Sequence, residues 1–403
     1  MMSDIPKLRF PEFKGEWEEK KLSDFMTRLT RKNSNNESSR ALTISSADGL
    51  IDQGEFFKKQ IASKDTSGYY LLKKGDFAYN KSYSVGYDYG SIKRLDRYED
   101  GVVSTLYICM SLTSDTNSDY LTHYFDSMKW NKSVSEISAE GARNHGLLNI
   151  PTEAFFQTKH YLAPSLPEQQ KIADFLSNVD SIITAETKIL KTLQKKKKAL
   201  MQKLFTQQLR FKSNDGTDFP AWEEKKLGEV CSYIGGGTPS KKVKEYWNGN
   251  INWASVKDIT GKYLYETQDK ISQLGADSSA TNICGRDSLL LITRMSPGKT
   301  VITKCITAIN QDLKIVNSDI NVEFLHLLFQ SIQTKIDEKT SSTTVKGISI
   351  EGLNQIDIRL PCKAEQEKIA DCLSSLDSLI QTQQEVVTTW QQRKKALLQQ
   401  MFI

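Results

Sequence analysis

Most of this chain is one text written twice. Leu8-Arg9-Phe10 returns as Leu209-Arg210-Phe211, and Trp17-Glu18-Glu19-Lys20-Lys21-Leu22 returns letter for letter as Trp222-Glu223-Glu224-Lys225-Lys226-Leu227. Glu168-Gln169-Gln170-Lys171-Ile172-Ala173-Asp174 returns as Glu365-Gln366-Glu367-Lys368-Ile369-Ala370-Asp371, and Phe205 matches Phe402. Residues 8–205 and 209–402 are therefore two copies of one unit. A period near two hundred residues means duplicated domains rather than a solenoid. Two like units on one polypeptide form a pseudo-twofold object, which suits a target with two halves.

Each copy ends in a helical segment. Pro164-Ser165-Leu166-Pro167 opens the first, proline being tolerated in a first helical turn, and no Gly or Pro follows before Phe205. Apolar residues recur at Ile172, Leu176, Val179, Ile183, Leu190, Leu193, Leu200 and Leu204, a heptad seam interrupted at Glu186 and Lys197. The second segment repeats the series at Ile369, Leu373, Leu376, Ile380, Val387, Trp390, Leu397 and Met401, interrupted at Gln383 and Lys394. A shift of 197 residues lays one on the other, breaks included. Two helices with one seam are suited to pack on each other, and each spans roughly 58 Å. Two unrelated surface helices are the plainer alternative. The basic clusters Lys195–Lys198 and Arg393–Lys395 read either as solvated faces that suit the helix dipole or as phosphate or partner contacts.

Between these shared parts the copies diverge almost completely. Runs such as Tyr69–Leu72, Val102–Ile108, Ser288–Thr293 and Thr300–Thr303 predict strands joined by turns. Asp119–Trp130 and Asn321–Ile336 predict helices. Dissimilar α+β heads on identical arms imply different readers on a common mount.

Composition excludes more than it reveals. With 38% hydrophobic and 26% charged residues the chain is of ordinary globular type. No run nears the 18–20 apolar residues, roughly, that cross a bilayer, and MMSDIPKLRF lacks the regions of a signal peptide, so the cytoplasm is expected. Cys109, Cys231, Cys284, Cys305, Cys362 and Cys372 form no C-x-x-C pair, which points to reduced, buried thiols over zinc or disulfide chemistry. The net charge of +5 hides a neutral first head: residues 17–165 carry 19 basic and 19 acidic side chains.

No active site is legible. Ser296-Pro297-Gly298-Lys299-Thr300 resembles the end of a phosphate loop, but Thr293 stands where the leading Gly belongs, and a hairpin turn fits better. Gly235-Gly236-Gly237-Thr238-Pro239 is not a dinucleotide fingerprint. No Pro-Pro pair serves amino-methylation, and the four histidines have no spacing suited to a metal or a triad. Side chains able to read base edges and clamp phosphates do gather in turn-rich stretches. They are Asn80, Lys81, Ser82, Tyr83 and Tyr87; Arg143, Asn144 and His145; Thr238, Lys241, Lys242 and Lys244; Arg294, Ser296 and Lys299; and Thr343, Thr344 and Lys346. Any one of them also fits an ordinary solvated loop.

These residues resemble the specificity subunits of type I restriction–modification systems. Phe-Pro-x-Phe-x-Gly-x-Trp at 10–17, and Leu-Pro-Glu-Gln-Gln-Lys-Ile-Ala at 166–173 with its echo at 365–370, look like that family's conserved regions. Lys74-Gly75-Asp76-Phe77-Ala78-Tyr79-Asn80-Lys81-Ser82, preceded by Ala62-Ser63-Lys64-Asp65, is similar to one of its target-recognition domains. Gly236-Gly237-Thr238-Pro239-Ser240 with Glu245-Tyr246-Trp247 and Trp253 looks like another. The one departure is Pro361-Cys362-Lys363-Ala364, where the first copy has Pro-x-Leu-Pro.

The resemblance implies an α+β chain with an internal pseudo-twofold repeat and two target-recognition domains, at residues 1–165 and 209–363. These would be separated by two long antiparallel coiled-coil helices, at 166–208 and 364–403. It implies a bipartite, gapped double-stranded DNA target methylated on adenine, and half-sites one turn apart lie about 34 Å from each other. It also implies docking of two methyltransferase subunits and optionally two restriction subunits. The helix pairing would run through Ile172, Leu176, Val179, Ile183, Leu190, Leu193, Ile369, Leu373, Leu376, Ile380, Val387 and Trp390. No cofactor or metal is expected in this chain; S-adenosylmethionine, ATP and magnesium belong to the partners. Two readings from other classes stand beside it: a coiled-coil scaffold with two protein-binding heads, and an enzyme in its own right.

Overall fold

Each head is closed by the same short ribbon, and a computed structural model shows how. It describes residues 5–45, 48–57, 63, 65–113, 116–138, 148–341 and 346–403. Glu18–Lys21 pairs antiparallel with Lys159–Leu162, the strand that leads into the first long helix. The identical Glu223–Lys226 pairs in the same way with Asp357–Leu360, ahead of the second. A one-turn helix follows each ribbon, started by a carboxylate three residues on: Asp24 accepts from the Lys21 amide at 2.8 Å, and Glu229 from the Lys226 amide at 3.1 Å.

The chain divides into two compact units, residues 1–188 with 384–403, and residues 189–383. Each unit thus holds one head, the first half of the helix that follows it, and the last half of the other helix. In the first unit a four-stranded antiparallel sheet runs in the order Met26–Leu29, Ile108–Leu112, Phe77–Asn80, Ser91–Arg94. Two ribbons accompany it, Leu42–Ser45 with Gly49–Asp52 and Tyr70–Lys73 with Asp100–Val103. The second unit has a five-stranded sheet, Ser232–Gly235, Leu313–Asn317, Leu289–Ile292, Thr300–Thr303, Tyr263–Leu264. It also has a four-stranded one, Asp269–Ile271, Ile251–Ala254, Thr307–Ile309, Asn282–Cys284. The first four strands of the five-stranded sheet repeat the order and antiparallel sense of the first unit's main sheet. The heads share a topology that their letters conceal.

Three predicted elements break in the structure, and one of them, the helix expected over Asn321–Ile336, is two helices, Val322–Ser331 and Gln333–Glu338, divided at Ile332. The run Val102–Ile108 is not one strand. A turn, with the Tyr107 amide donating to the Ser104 carbonyl at 3.1 Å, sends Asp100–Val103 and Ile108–Leu112 to different sheets. The helix expected over Asp119–Trp130 spans Ser118–Asp126 and stops where Met128 takes φ +63°. Trp130 then folds back to give its indole N–H to the Phe125 carbonyl at 2.8 Å.

The long helices run Leu166–Phe205 and Lys363–Met401. Both start at the same aligned position, so Lys363-Ala364 in place of Leu166-Pro167 does not move the start. Within the first unit Leu398, Met401 and Phe402 share a core with Ile172, Ala173 and Leu176. Within the second, Leu204 shares one with Ile369, Ala370 and Leu373. In each unit the end of one helix lies beside the beginning of the other, an antiparallel pair. Ile172, Leu176, Val179, Leu190, Ile369, Leu373 and Val387 are buried, and Ile183, Leu193, Leu376, Ile380 and Trp390 half-buried. Among the described residues no helix is long and apolar enough to cross a membrane.

Each core also buries a neutral histidine. His160 bonds Tyr124 Oη and Thr158 Oγ1, both at 2.8 Å, and burial pushes its pKa down to about 3. His326 bonds Thr300 Oγ1 at 2.8 Å and Gln330 at 2.7 Å, and burial pushes it down to about 4. The sign follows from linkage. Above about pH 6.5 folded and unfolded chains both keep the imidazole neutral; as pH falls from there toward 4 only the unfolded chain takes the proton, so stability is lost. Urea unfolding should show each unit less stable at about pH 5 than at pH 7 by about 2 kcal/mol per buried histidine. For the second unit, a His326→Gln variant with an undiminished acid slope would count against this origin.

Candidate nucleic-acid interface

The repeated letters converge on one buried carboxylate in each copy. Glu168, in the first turn of its helix, accepts from Arg9 Nε at 2.7 Å, Arg9 Nη2 at 2.9 Å and Trp17 Nε1 at 3.2 Å. Glu365 accepts from Arg210 Nε at 3.1 Å, Arg210 Nη2 at 2.7 Å and Trp222 Nε1 at 3.0 Å. Both glutamates are essentially inaccessible, 1% and 0% exposed. A charge buried that deeply needs a bidentate partner and further donors, and it has them. The hydrogen bonds to the glutamates raise both arginines above their ordinary pKa. The neighbouring Gln169 and Gln366 tie head to helix in the same way. Each accepts from the N-cap amide of a head helix, Asn117 or Asn321, and donates to the carbonyl of Ala163 or Pro361.

The lysines that interrupt the seams are neither solvated nor free for a partner. Lys394 lies 2.7 Å from Asp180 and 3.8 Å from Asp126, which also holds Lys93 at 2.6 Å. In the second unit Lys197 bonds Asp377. Asp377 also faces Lys262 at 3.4 Å, and Lys262 reaches Glu323 at 2.8 Å. The 197-residue shift carries Asp180 onto Asp377 and Lys197 onto Lys394. Each unit therefore joins helix, partner helix and head through alternating charges.

On this mount the two heads present equivalent tips. The strand ends at Asn80 and Leu29 and the strand start at Ile108 gather at one end of the first sheet; Ile292, Gly235 and Leu313 do the same in the second. In each, a hairpin loop leaves that end and a returning segment bonds to it. The Leu148 amide donates to the Lys81 carbonyl at 2.9 Å, and the Ile348 amide to the Thr293 carbonyl at 3.0 Å. Of the candidate residues, Asn80, Lys81, Ser82, Tyr83 and Tyr87 fall on or beside the first of these loops and Arg294 and Ser296 on the second.

In the first tip Asn80 closes its strand and its side chain accepts from the Ser82 amide at 3.1 Å. Lys81 and Ser82 are half-buried, and burial lowers the Lys81 pKa. Tyr83 is 55% exposed and Val85 91%. Tyr87 closes the loop against Ser84. Gly90 is obligatory: at φ +78°, a Cβ would stand 2.0 Å from the Asn80 carbonyl oxygen. Arg143, Asn144 and His145 lie outside the described residues.

In the second tip Thr238 donates to Gln311 Oε1 at 2.6 Å. The glycine run before it is packed rather than loose, since a Cβ on Gly236 would lie 2.3 Å from the Ile309 carbonyl oxygen. Arg294 is exposed and stands 3.7 Å from Asp312. Ser296 is half-buried in the turn that Gly298 closes at φ +92°. The Met295 amide donates to the Lys346 carbonyl at 2.7 Å, and Lys346 Nζ pairs with Asp337 at 3.1 Å. Lys241, Lys242 and Lys244 are exposed on the continuation of the glycine loop. Lys299 leaves the group and lines a hollow with Lys197, Lys262 and Asp377. Thr343 and Thr344 lie outside the described residues. Gln311, absent from the sequence-derived candidates, sits at the centre of this tip; its only signal was a polar Asn-Gln-Asp turn between two apolar runs.

The six cysteines are free, and burial lifts Cys109 to about 12 and Cys231 and Cys284 to about 11, which keeps these three unreactive.

The two clamps are alike and the loops they carry are not. Residues 221–389 match the type I restriction modification DNA specificity domain. The type I restriction enzyme MjaIX specificity subunit of Methanocaldococcus jannaschii is 29% identical over 185 residues, 44% of this chain and 43% of that protein. The EcoR124I/EcoR124II specificity subunit of Escherichia coli is 30% identical over 166 residues, 39% of this chain and 41% of that protein. The chain thus aligns with about two fifths of either relative's length. A solved type I restriction–modification S subunit from M. genitalium shares the fold across 99% of both chains, with a TM-score of 0.58 and 13% identity. The second copy thus matches that specificity domain, and the chain is similar to type I restriction enzyme specificity subunits over part of its length.

Truncating the clamp tests its place in the mount. Glu365→Ala leaves Arg210 and the Trp222 indole without their acceptor, and should cost the second unit about 3–5 kcal/mol in denaturant unfolding. A loss below about 1 kcal/mol would mean that the heads hold without it.

Proposed function

We propose that this chain is the DNA-recognition subunit of a type I restriction–modification complex, with each head reading one half of a bipartite, gapped target. The observation that carries the proposal is the pair of equivalent tips: one topology and one mount, but unlike polar and basic loops. Selection for two different sequences produces that pattern. A scaffold with two protein-binding heads has no comparable reason to keep one mount and one strand order under such unlike tips.

The chemistry belongs to partners. Two methyltransferase subunits would dock on the repeated ribbons and helix faces and supply S-adenosylmethionine, and restriction subunits, where present, ATP and magnesium. The complex would act on DNA in the cytoplasm. Methylation mapping of DNA from cells expressing the methyltransferase partner, with and without this chain, tests the reading. A two-part adenine motif should appear only with the chain. Replacing residues 17–163 with another reader should change one half of that motif and leave the other; joint change of both halves would refute modular reading. The neutral first head predicts weak, salt-sensitive DNA binding by the chain alone, with affinity falling steeply between about 50 and 200 mM salt. Tight specific binding without any partner would contradict this division of labour.

A further inference from the structure

The second tip contains two exposed polar side chains, Gln311 held by a hydrogen bond and Arg294 facing a carboxylate. Strands Thr307–Ile309 and Leu313–Asn317 belong to different sheets, and Asn310-Gln311-Asp312 joins them. The joint is rigid. Buried Asn310 accepts from the Asp312 amide at 3.0 Å and donates to the Asp312 carboxylate at 3.2 Å. The Asp312 carbonyl receives the Thr293 amide at 2.9 Å, and the Ile309 carbonyl receives the Gly237 amide at 3.0 Å. Hairpin and glycine loop are thereby both pinned to this joint.

Asp312 faces Arg294 at 3.7 Å, a Coulombic contact too long to be a hydrogen bond. It draws the guanidinium toward the joint and leaves its donors available. The next residue, Met295, holds the left-handed φ of +71°, rare for an L side chain, and its amide is bonded to the Lys346 carbonyl. That strain lies at the tip and not in the core, as expected where a site fixes geometry. On the other side of the joint Thr238 occupies one lone pair of the exposed Gln311 amide oxygen. This sets the amide's orientation and leaves its second lone pair and both N–H donors open. A guanidinium with free donors matches guanine O6 and N7, and a held carboxamide matches adenine N6 and N7.

We propose that Arg294 reads a guanine and Gln311 a neighbouring adenine in the half-site of the second head, with Asp312 and Thr238 as positioning residues. This inference rests on the DNA-recognition reading. The test uses the full chain assembled with its methyltransferase partner, and reads the methylated motif genome-wide. Arg294→Ala should relax one guanine of one half-site, with discrimination at that base falling about 10- to 100-fold. Gln311→Ala should relax an adjacent adenine by a similar factor. Thr238→Ala should loosen the same adenine, Asp312→Asn the same guanine, and Arg294→Lys should keep part of the guanine preference. The half-site that changes on replacing residues 17–163 should stay intact in all of them. A merely structural role would lower methylation at every site and leave the motif unaltered. Variants that assemble and keep the strict wild-type motif, or that relax the other half, overturn the proposal. Should Arg294→Ala fail to assemble, the exposed Gln311→Ala decides on the same criterion. If the wild-type chain directs no two-part motif, the recognition reading itself falls and this inference with it.

Discussion

A carboxylate sealed from water at the start of a long helix is what the rest of this molecule depends on. Glu168 and Glu365 are buried, and each is neutralised by an arginine, Arg9 or Arg210, that precedes the ribbon closing its head. Removing such a charge from water costs several kcal/mol, recovered only through good geometry and further donors. The clamp therefore tolerates little variation. Arginine, tryptophan and glutamate must arrive together, and the segments that carry them must meet the helix at one angle. That requirement accounts for letter-for-letter repetition in the mount beside nearly complete divergence in the heads.

The charge chains through Lys394 and Lys197 extend the same logic along the helices. An apolar seam alone permits sliding, because one leucine fits much as another does. A lysine placed half-buried in the seam has to find its aspartate, and this fixes register at a cost in intrinsic stability. Lys93 and Lys262 contribute the head's share, so the orientation of the head on its helices is set by the same groups that set the helix register. The tips are then held by rigid elements of one strand order, and they carry unlike loops.

Much of this was legible because repetition marks constraint. The duplicated motifs, the shared seam and its interruptions are all visible in the letters. What Lys197 and Lys394 meet is not, because each partner lies on the other helix and only tertiary structure brings the two together. The division of Val102–Ile108 between two sheets was hidden for a related reason: β-branched residues favour strand on both sides of the Ser104–Tyr107 turn, and propensity does not say which sheet each half joins. The shared topology of the heads left no trace, since strand order depends on which apolar faces pair and not on their identity. Gln311 escaped notice because a glutamine in a polar turn is ordinary until a threonine is found holding it.

The first head is not completed by its own neighbourhood of the chain. Its core takes in Leu398, Met401 and Phe402, with Phe402 against Trp17 and Tyr120, and the Leu8 amide bonds the Gln400 carbonyl at 2.9 Å. In the second unit the matching bond, Leu209 to Lys203, spans only six residues. Chains emerge from the ribosome at roughly 5–20 residues per second, and domains generally fold as they appear. On that schedule the head synthesised first receives the last side chain of its core, Phe402, only after the whole second head has been made.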